Sequence, residues 1–340
     1  MVTIIVAAFF QSQNSAFLTQ GNLLDLVRAA STLGIVAMGV TLVVIAGELD
    51  LSVGSTYALA PTVVAVLWME QGWPLSIALP AGLICVILAG VLNGVLTVYA
   101  KIPSFVVTLG TFTLIAGIGL LIGRGQYFTP ASSFRPVSPA ELDFFVHFGG
   151  ASVAGVPAQI VWLVAVSLVV FVLLHLSLFG FRLRAVGGNE TAARLSRLPV
   201  ARYRIIVFSL SAGLAGLAGI IDFSFLQATQ PASGSGLTFP VFAAVIIGGA
   251  SLAGGSGTVI GTLTGALLLQ TLANGLSLIG AGSGVQQIFT GAITVIAVGI
   301  DRWSDISSAV RSAVRRRRRT AVQPPNDARM AAPGNSPVGQ

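Results

Sequence analysis

The sequence predicts an all-α polytopic membrane protein with about ten transmembrane helices, some of them broken or re-entrant. Of its 340 residues, 54% are hydrophobic and 9% are charged, whereas an ordinary soluble domain is about 25% charged. Apolar runs of about 20 residues, enough to cross a bilayer as a helix, recur along the chain and do not fit the short alternating strands of an outer-membrane barrel. Many of the 40 glycines lie inside these runs, where small residues let helices pack closely.

The first half of the chain contains five apolar runs. Residues 1–10 are too short to span a bilayer, and we expect a first helix that is shortened by a late start site and continued by residues 11–20. The next four predicted spans are residues 29–46, 56–69, 75–100 and 105–122. Pro103 separates the last two, because proline ends one helix and suits the first turn of the next.

The second half begins with a long polar stretch, residues 123–157, which we expect to be an external loop over the bundle. Residues 159–178 and 205–226 are the next two predicted spans, and a polar loop with six arginines, residues 179–204, lies between them. Three last apolar runs are interrupted by glycine and predict further spans or re-entrant pieces. They are residues 239–250, 258–273 and 285–300.

The distribution of Lys and Arg predicts the orientation, because cytoplasmic loops carry an excess of both. With the amino terminus in the cytoplasm, Lys101, the six-arginine loop and the tail arginines (Arg311 and residues 315–319) all lie on the cytoplasmic side. The transmembrane domain is therefore predicted at residues 1–304, followed by a basic, disordered cytoplasmic tail at residues 305–340. Beside a last span, such a tail favours contact with anionic lipid over a nucleic-acid patch.

Two acids interrupt a very apolar part of the chain, in the stretch GELDLSVGS. Glu48 and Asp50 lie between two predicted spans and are followed by Ser52 and Ser55. A carboxylate inside a membrane costs about 3 kcal/mol, so it marks a polar path or a watered cavity, and broken helices form such sites in transporters. Alternatively, both acids favour the amino end of the next helix at the membrane surface. Both interpretations predict a helix break here.

A short amphipathic helix is predicted in the six-arginine loop. Asn189 is a good N-cap, Glu190 and Arg194 have the i,i+4 spacing of an ion pair, and Pro199 stops the helix. Such a helix either binds a partner protein or rests on the lipid surface. The residues alone leave both interpretations open.

Glycines dominate the stretch IIGGASLAGGSGTVIGTLTGALLLQ. Gly257, Gly261 and Gly265 recur every four residues and predict a contact face between helices. The denser glycines before them do not fit a plain helix and predict a re-entrant turn near the pathway. These are Gly248, Gly249, Gly254 and Gly255.

Other polar residues inside the predicted spans are further candidates for a translocation pathway. Asn93, Gln270 and Asn274 either face a solute or form hydrogen bonds between helices. Asp222 is either a pathway residue or an interfacial acid.

The sequence predicts no catalytic or metal site. The two histidines lie far apart in the predicted topology, without cysteine or carboxylate partners at ligand spacing. Lys101 is the only lysine and is followed by Ile102, so the chain contains no phosphate-binding G-x-x-x-x-G-K-[ST] loop. We therefore expect a protein that is not an enzyme by itself and cannot hydrolyse a nucleotide alone.

Five long motifs follow one another along the chain: GVTLVVIAGELDLSVGS, IPSFVVTLGT, RLRAVGGNETAARLS, ATQPASGSG and GGASLAGGSGTVIGTLTGA. Together they resemble the permease subunits of bacterial ribose- and xylose-type ABC importers, in the family that includes branched-chain amino acid permeases. The resemblance runs from about residue 22 to residue 301. The short first helix and the oligo-arginine tail are unusual for the family, and two internal places also differ from its pattern. Thr238 and Pro240 stand where relatives commonly carry acids, and Arg197 stands where glycine is common.

The resemblance implies a ten-helix permease of the bacterial cytoplasmic membrane that moves a monosaccharide, a pentose or a related sugar, by alternating access. Three protein partners are implied: a cytoplasmic ATPase that binds ATP and Mg²⁺, a periplasmic or lipid-anchored sugar-binding protein, and a second permease copy, identical or related. The ATPase-coupling loop would comprise Gly187, Gly188, Asn189, Glu190, Arg194 and Ser196. The resemblance implies no cofactor in this chain and no nucleic-acid partner.

Two other functions stay open at this point. The permease could carry another small solute, such as a branched-chain amino acid. The chain could also be an ion-coupled secondary transporter, with Glu48, Asp50 or Asp222 as the proton or sodium site. A membrane-embedded enzyme is disfavoured, because the sequence has no recognisable reactive cluster.

Overall fold

The computed structural model describes residues 2–153, 155–296 and 299. The chain divides into two compact units, Met1–Val298 and Gly299–Gln340. The predicted tail, with its arginines, and the end of the predicted span at residues 285–300 lie outside the described residues.

The described residues are almost entirely helical. In the first half the helices are α1 Val2–Gln13, α2 Gln20–Ile45, α3 Val53–Ala65, which continues as a π-helical turn Val66–Glu70, α4 Leu75–Val98 and α5 Ser104–Gly123. In the second half they are α6 Pro139–Gly149, α7 Ala158–Phe171 with a π-helical turn Val172–Leu176, α8 Leu178–Gly188, α9 Glu190–Leu195, α10 Val200–Leu226, α11 Thr238–Ile247 and α12 Val259–Leu278. Residues 283–296 are also helical.

Seven of the described helices are long and apolar enough to cross a membrane. They are α2, α3 with its π-helical turn, α4, α5, α7 with its π-helical turn, α10 and α12. Two shorter apolar helices, α1 and α11, accompany them. The prediction of an all-α polytopic membrane protein is thereby confirmed.

The external loop predicted at residues 123–157 has its own structure. It contains a short 3₁₀ turn Pro130–Ser132, helix α6, and two antiparallel strands, β1 Ser152–Val153 and β2 Val156–Pro157. Helix α6 is tied to the bundle by Glu141, whose carboxylate accepts hydrogen bonds from Trp68 Nε1 at 3.0 Å and from the Leu75 amide at 2.8 Å. This segment therefore packs against the end of α3 and the start of α4.

Helix α2 forms the centre of the bundle. Every residue from Ala30 to Ile45 is buried, as expected of a helix that is apolar on all faces. Helix α10 packs against it, and α3 packs against α10. Both are more buried than α4, α5 and α7, which expose large apolar side chains on their outer faces. Those outer faces fit contact with lipid.

The connections between helices gather at two ends of the bundle. Residues 46–52, 99–103, 177–199 and 248–258 form what we call the arginine end, where Glu48, Lys101 and Glu190 line one shallow pocket. Residues 14–19, 71–74, 124–157, 227–230 and 279–282 form the opposite end, where the backbones of Phe128 and Thr229 pair. Residues 231–237 turn back into the bundle, where Gly234 lies against the Gly54 carbonyl at the start of α3. The two ends hold the two candidate functional regions.

Candidate functional site

The helix break predicted at GELDLSVGS lies between α2 and α3. Asp50 is fully buried, and its Oδ1 accepts hydrogen bonds from the Ser52 amide at 3.0 Å and from Ser52 Oγ at 2.6 Å. Asn93 Nδ2 on α4 donates to Ser52 Oγ at 2.9 Å, and Ser55 Oγ donates to the Ser52 carbonyl at 2.8 Å. Asp50 therefore holds the first turn of α3, a position at which the helix dipole favours a negatively charged group.

Glu48 lies at the arginine end in an ion-pair cluster made of Glu48, Arg204, Glu190 and Arg194. Arg204 Nε lies 2.6 Å from Glu48 Oε1, and Arg204 Nη2 lies 2.7 Å from Glu190 Oε2. Arg194 Nη2 lies 2.7 Å from Glu190 Oε1. The cluster joins the break between α2 and α3 to α9 and to the first turn of α10.

The two carboxylates of the cluster differ in their environment. Burial raises the pKa of Glu48, although the charge of Arg204 opposes this effect. Burial alone would also raise the pKa of Glu190, but hydrogen bonds and charges from Arg204 and Arg194 outweigh it and lower that pKa. Glu190 is therefore the better stabilised anion of the two.

The predicted amphipathic helix is α9. The Asn189 side chain caps it by accepting a hydrogen bond from the Ala192 amide at 2.9 Å, and Ser196, at its end, donates its amide to the Ala192 carbonyl at 2.9 Å. Leu195 is 81% exposed. Arg197 follows with φ +58°, a left-handed conformation that glycine adopts most easily.

The glycine-rich stretch forms the turn between α11 and α12 at the arginine end. Gly254 and Gly255 have φ near +80°, and the Gly255 amide donates to the Ile45 carbonyl at 2.9 Å. Gly187 of α8 lies so close to the Ile45 carbonyl that an added side-chain carbon would collide with it. Gly188 also faces this turn, at Gly255.

The regularly spaced glycines lie at the contact between α11 and α12. Gly261 packs against the backbone of Gly248, and Gly265 packs against the backbone of Ala244. Gly257 precedes α12 in extended conformation, and Gly249 has φ +85° just after α11. Gly261 and Gly265 thus allow close packing here, whereas Gly257 lies outside α12 and faces the side chains of Ile45 and Ala250.

A cavity of about 350 Å³, which we call the Asp222 cavity, lies between α2, α3, α7, α10 and α12. Asp222 Oδ1 accepts a hydrogen bond from Thr32 at 2.7 Å, and its Oδ2 accepts one from Tyr57 at 2.5 Å. Gln159 and Gln270 also line the cavity. Asp222 lies in the last turns of α10, 18 residues after Arg204 and about 27 Å from it along the helix.

Gln159 is the most unusual side chain on this wall. It is 1% exposed, and neither its Oε1 nor its Nε2 has a hydrogen-bond partner among the described residues. Near it, Arg28 pairs with Asp25 at 2.8 Å and lies 5.4 Å from the centre of the Phe225 ring. The wall therefore combines neutral hydrogen-bonding groups with an aromatic ring and one ion pair.

The structure separates the candidate pathway residues into different places. Asp222 lines the cavity, Asp50, Ser52, Ser55 and Asn93 surround the break, and Glu48 lies in the ion-pair cluster. Asn274 exchanges hydrogen bonds with Asn22 of α2 at 2.8 and 2.9 Å. Their part in translocation stays a prediction.

Sequence reasoning missed Thr32, Tyr57 and Gln159. Each is a polar side chain within or beside an apolar run, and this is a signal that the sequence does carry. Among the described residues, no group of three His, Cys, Asp or Glu side chains could hold a metal ion.

Residues 22–298 match the family model described as "Branched-chain amino acid transport system / permease component". The chain belongs to this permease family. Curated relatives include a ribose import permease of Bacillus subtilis, 36% identical over 85% of this chain and 87% of the relative, and one of Escherichia coli K12, 36% identical over 88% and 91%. A xylose transport system permease of E. coli K12 is 31% identical over 88% and 90%. No solved structure matches the chain.

These matches confirm the family that the five motifs indicate. The permease-family match covers α2 to α12, which are the helices that build the Asp222 cavity and the ion-pair cluster. This permease is therefore a multi-pass membrane protein with a polar cavity near one end and a charged, helix-bearing loop at the other.

Proposed function

We propose that this permease is the transmembrane subunit of an ATP-driven importer that moves a monosaccharide, a pentose or a related sugar, across the bacterial cytoplasmic membrane. The observation that carries the proposal is its 36% identity to ribose import permeases over most of both chains. Similarity to a xylose permease supports the same class of solute.

The chemistry of the Asp222 cavity supports a neutral, polyhydroxylated solute. Tyr57 and Thr32 offer hydroxyl groups, and Gln159 and Gln270 offer amides. Both carboxylate oxygens of Asp222 already accept hydrogen bonds from these hydroxyls. Asp222 therefore fixes the orientation of the two hydroxyl groups on the cavity wall. A cavity of about 350 Å³ is at the small end of the range of about 300–1,000 Å³ for small-molecule sites.

The proposal places the arginine end in the cytoplasm, because Lys and Arg concentrate on that side of membrane proteins. A separate ATPase, which binds ATP and Mg²⁺, would dock on α9 and supply the free energy. The opposite end, with α6, would receive a periplasmic or lipid-anchored sugar-binding protein. A second permease copy would complete the translocation unit.

Uptake of radiolabelled sugars by proteoliposomes tests this proposal. The chain is reconstituted with a candidate ATPase and sugar-binding protein from the same organism, and D-ribose, D-xylose and L-leucine are compared. We expect ATP-dependent uptake of a pentose, and its loss when the ATP-binding lysine of the ATPase is replaced. L-leucine uptake would instead assign the permease to amino acids.

An ion-coupled mechanism gives the opposite result. Solute would then enter vesicles that contain the chain alone when a proton or sodium gradient is imposed, without ATP. That result would overturn the proposal and would make Asp222 the first acid to examine.

A further inference from the structure

We infer that the Glu48–Arg204 ion pair links the coupling helix α9 to the Asp222 cavity, with α3 as the element that moves. This inference rests on the proposed function. It assigns to Glu48 a positioning role at the arginine end and gives a physical route from the ATPase side to the cavity wall.

The first step is the connection between α9 and the break. Arg204 binds Glu190 of α9 and Glu48 of the break at the same time. The Glu48 and Arg204 side chains are 10% and 15% exposed, whereas Glu190 and Arg194 are 39% and 59% exposed. Glu48 and Arg204 are the less exposed charges, and solvent screens buried charges less than exposed ones. Arg204 also donates a hydrogen bond to Glu190 of α9, so a shift of α9 pulls on the break through Arg204.

The second step is the short path from Glu48 to α3. The Leu49 amide donates to Ser104 Oγ at 3.1 Å, and the Leu49 carbonyl accepts from Thr108 Oγ1 at 3.3 Å. Asp50 then holds Ser52 through two hydrogen bonds. Ser104 and Thr108 lie on α5, so the segment between Glu48 and α3 is held to α5 as well as to Ser52. Only three residues separate Glu48 from Ser52, so a displacement of Glu48 that overcomes the α5 contacts reaches the first turn of α3.

The third step is the position of Tyr57 on α3. It lies five residues after Ser52, about 7 Å along the helix, and its hydroxyl donates to Asp222 Oδ2 on α10. Thr32 of α2 donates to the other oxygen of the same carboxylate. A shift of about 1 Å takes a hydrogen bond beyond its normal range. Movement of α3 would therefore open this junction between α2, α3 and α10.

Helix α3 also has features that permit local movement. Pro61 lies inside it and removes one backbone hydrogen bond, and a π-helical turn follows at Val66–Glu70. Both features often mark bends or functional adjustments in helices. The first turns of α3 can therefore shift while the far end of the helix stays in place.

The test compares sugar transport with ATP hydrolysis in the reconstituted complex. The variants are Glu48→Gln, Arg204→Gln and their combination. Glu48→Gln keeps the side-chain shape and leaves Arg204 paired with Glu190, so no buried charge is orphaned. Arg202→Gln is the matched control, because it removes the same charge from the same turn of α10 at an exposed position.

We expect ATP hydrolysis to continue in all variants, while the sugar moved per ATP falls at least tenfold in both single variants and stays normal in Arg202→Gln. The double variant should move as much sugar per ATP as the single variants, because all of them break the same ion pair. An unchanged ratio in either single variant, an equal loss in Arg202→Gln, or multiplied losses in the double variant would overturn the inference.

A second measurement separates this inference from the proposed function. Spin labels on α3 and α10, in a chain whose only cysteine, Cys85, has been replaced, report the distance between the two helices with and without ATP. We expect ATP to change this distance in the unmodified and Arg202→Gln complexes and not in Glu48→Gln. An ATP response without sugar uptake would defeat the proposed function alone. An equal response in Glu48→Gln would defeat the link alone.

Discussion

Gln159 lies on the wall of the Asp222 cavity with a buried amide that has no hydrogen-bond partner among the described residues. Such a group is unfavourable by about 1–3 kcal/mol. A solute hydroxyl at this wall would offset that energy. We therefore expect the Gln159 amide to lower the stability of the empty protein and to strengthen solute binding.

Replacing Gln159 by leucine should separate the two effects. The apolar side chain has a similar volume, so the melting temperature of the purified chain should stay the same or rise. The sugar concentration for half-maximal uptake should increase about three- to tenfold, the equivalent of one lost hydrogen bond. Gln287→Leu makes the same chemical change on an exposed helical face and should alter neither quantity. A normal half-maximal concentration in Gln159→Leu would remove this residue from the solute site.

The backbones of α8 and the end of α2 approach each other closely at the arginine end. Gly187 lies against the Ile45 carbonyl, and the same carbonyl accepts the Gly255 amide at 2.9 Å. Three segments that are distant in sequence therefore meet at one carbonyl group. The absence of a side chain at Gly187 allows this junction.

The neighbouring glycines provide a matched pair of substitutions. Gly187→Ala forces a carbon into the Ile45 carbonyl and should destabilise the chain by about 1–3 kcal/mol. Gly188→Ala places its carbon 3.8 Å from the Gly255 Cα, at ordinary contact distance, and alanine is the better helix former. We expect a lower melting temperature in detergent for Gly187→Ala only. Equal melting temperatures for the two variants would contradict the tight junction.

Across the bundle, polar groups gather in two regions that are separated by buried apolar helices. The ion-pair cluster lies at the arginine end, and the Asp222 cavity lies about 27 Å further along α10. Helix α2 is buried beside both, and α3 connects the break to the cavity wall. This arrangement suits a protein in which a conformational change at the arginine end alters the Asp222 cavity near the opposite end.

The orientation of the bundle can be tested by chemical labelling. In a Cys85→Ser background, Leu195→Cys on α9 and Phe134→Cys at the opposite end place single thiols at positions that are 81% and 76% exposed. A membrane-impermeant maleimide added to intact cells should label Phe134→Cys and not Leu195→Cys. Permeabilised cells should show labelling of both. The reverse result in intact cells would invert the proposed topology.

The membrane class, the family and the features that depend on near neighbours could be predicted from the sequence. The break between α2 and α3, the Asn189 cap and the Glu190–Arg194 pair could all be predicted, because each depends on residues at most four apart. The position of Arg197, where relatives commonly have glycine, also agrees with its positive φ.

The polar contacts across the bundle could not be predicted from the sequence and are seen in the packed structure. Glu48 pairs with Arg204, Asp222 with Tyr57 and Thr32, and Asn22 with Asn274, and each pair joins residues more than 150 positions apart. The axial offset and rotation of packed helices set such contacts, and hydrophobic periodicity leaves both undetermined when a helix is apolar on every face, as α2 is. For that reason the sequence named Glu48 and Asp222 as candidates of one kind, while the structure places them at different depths with different partners.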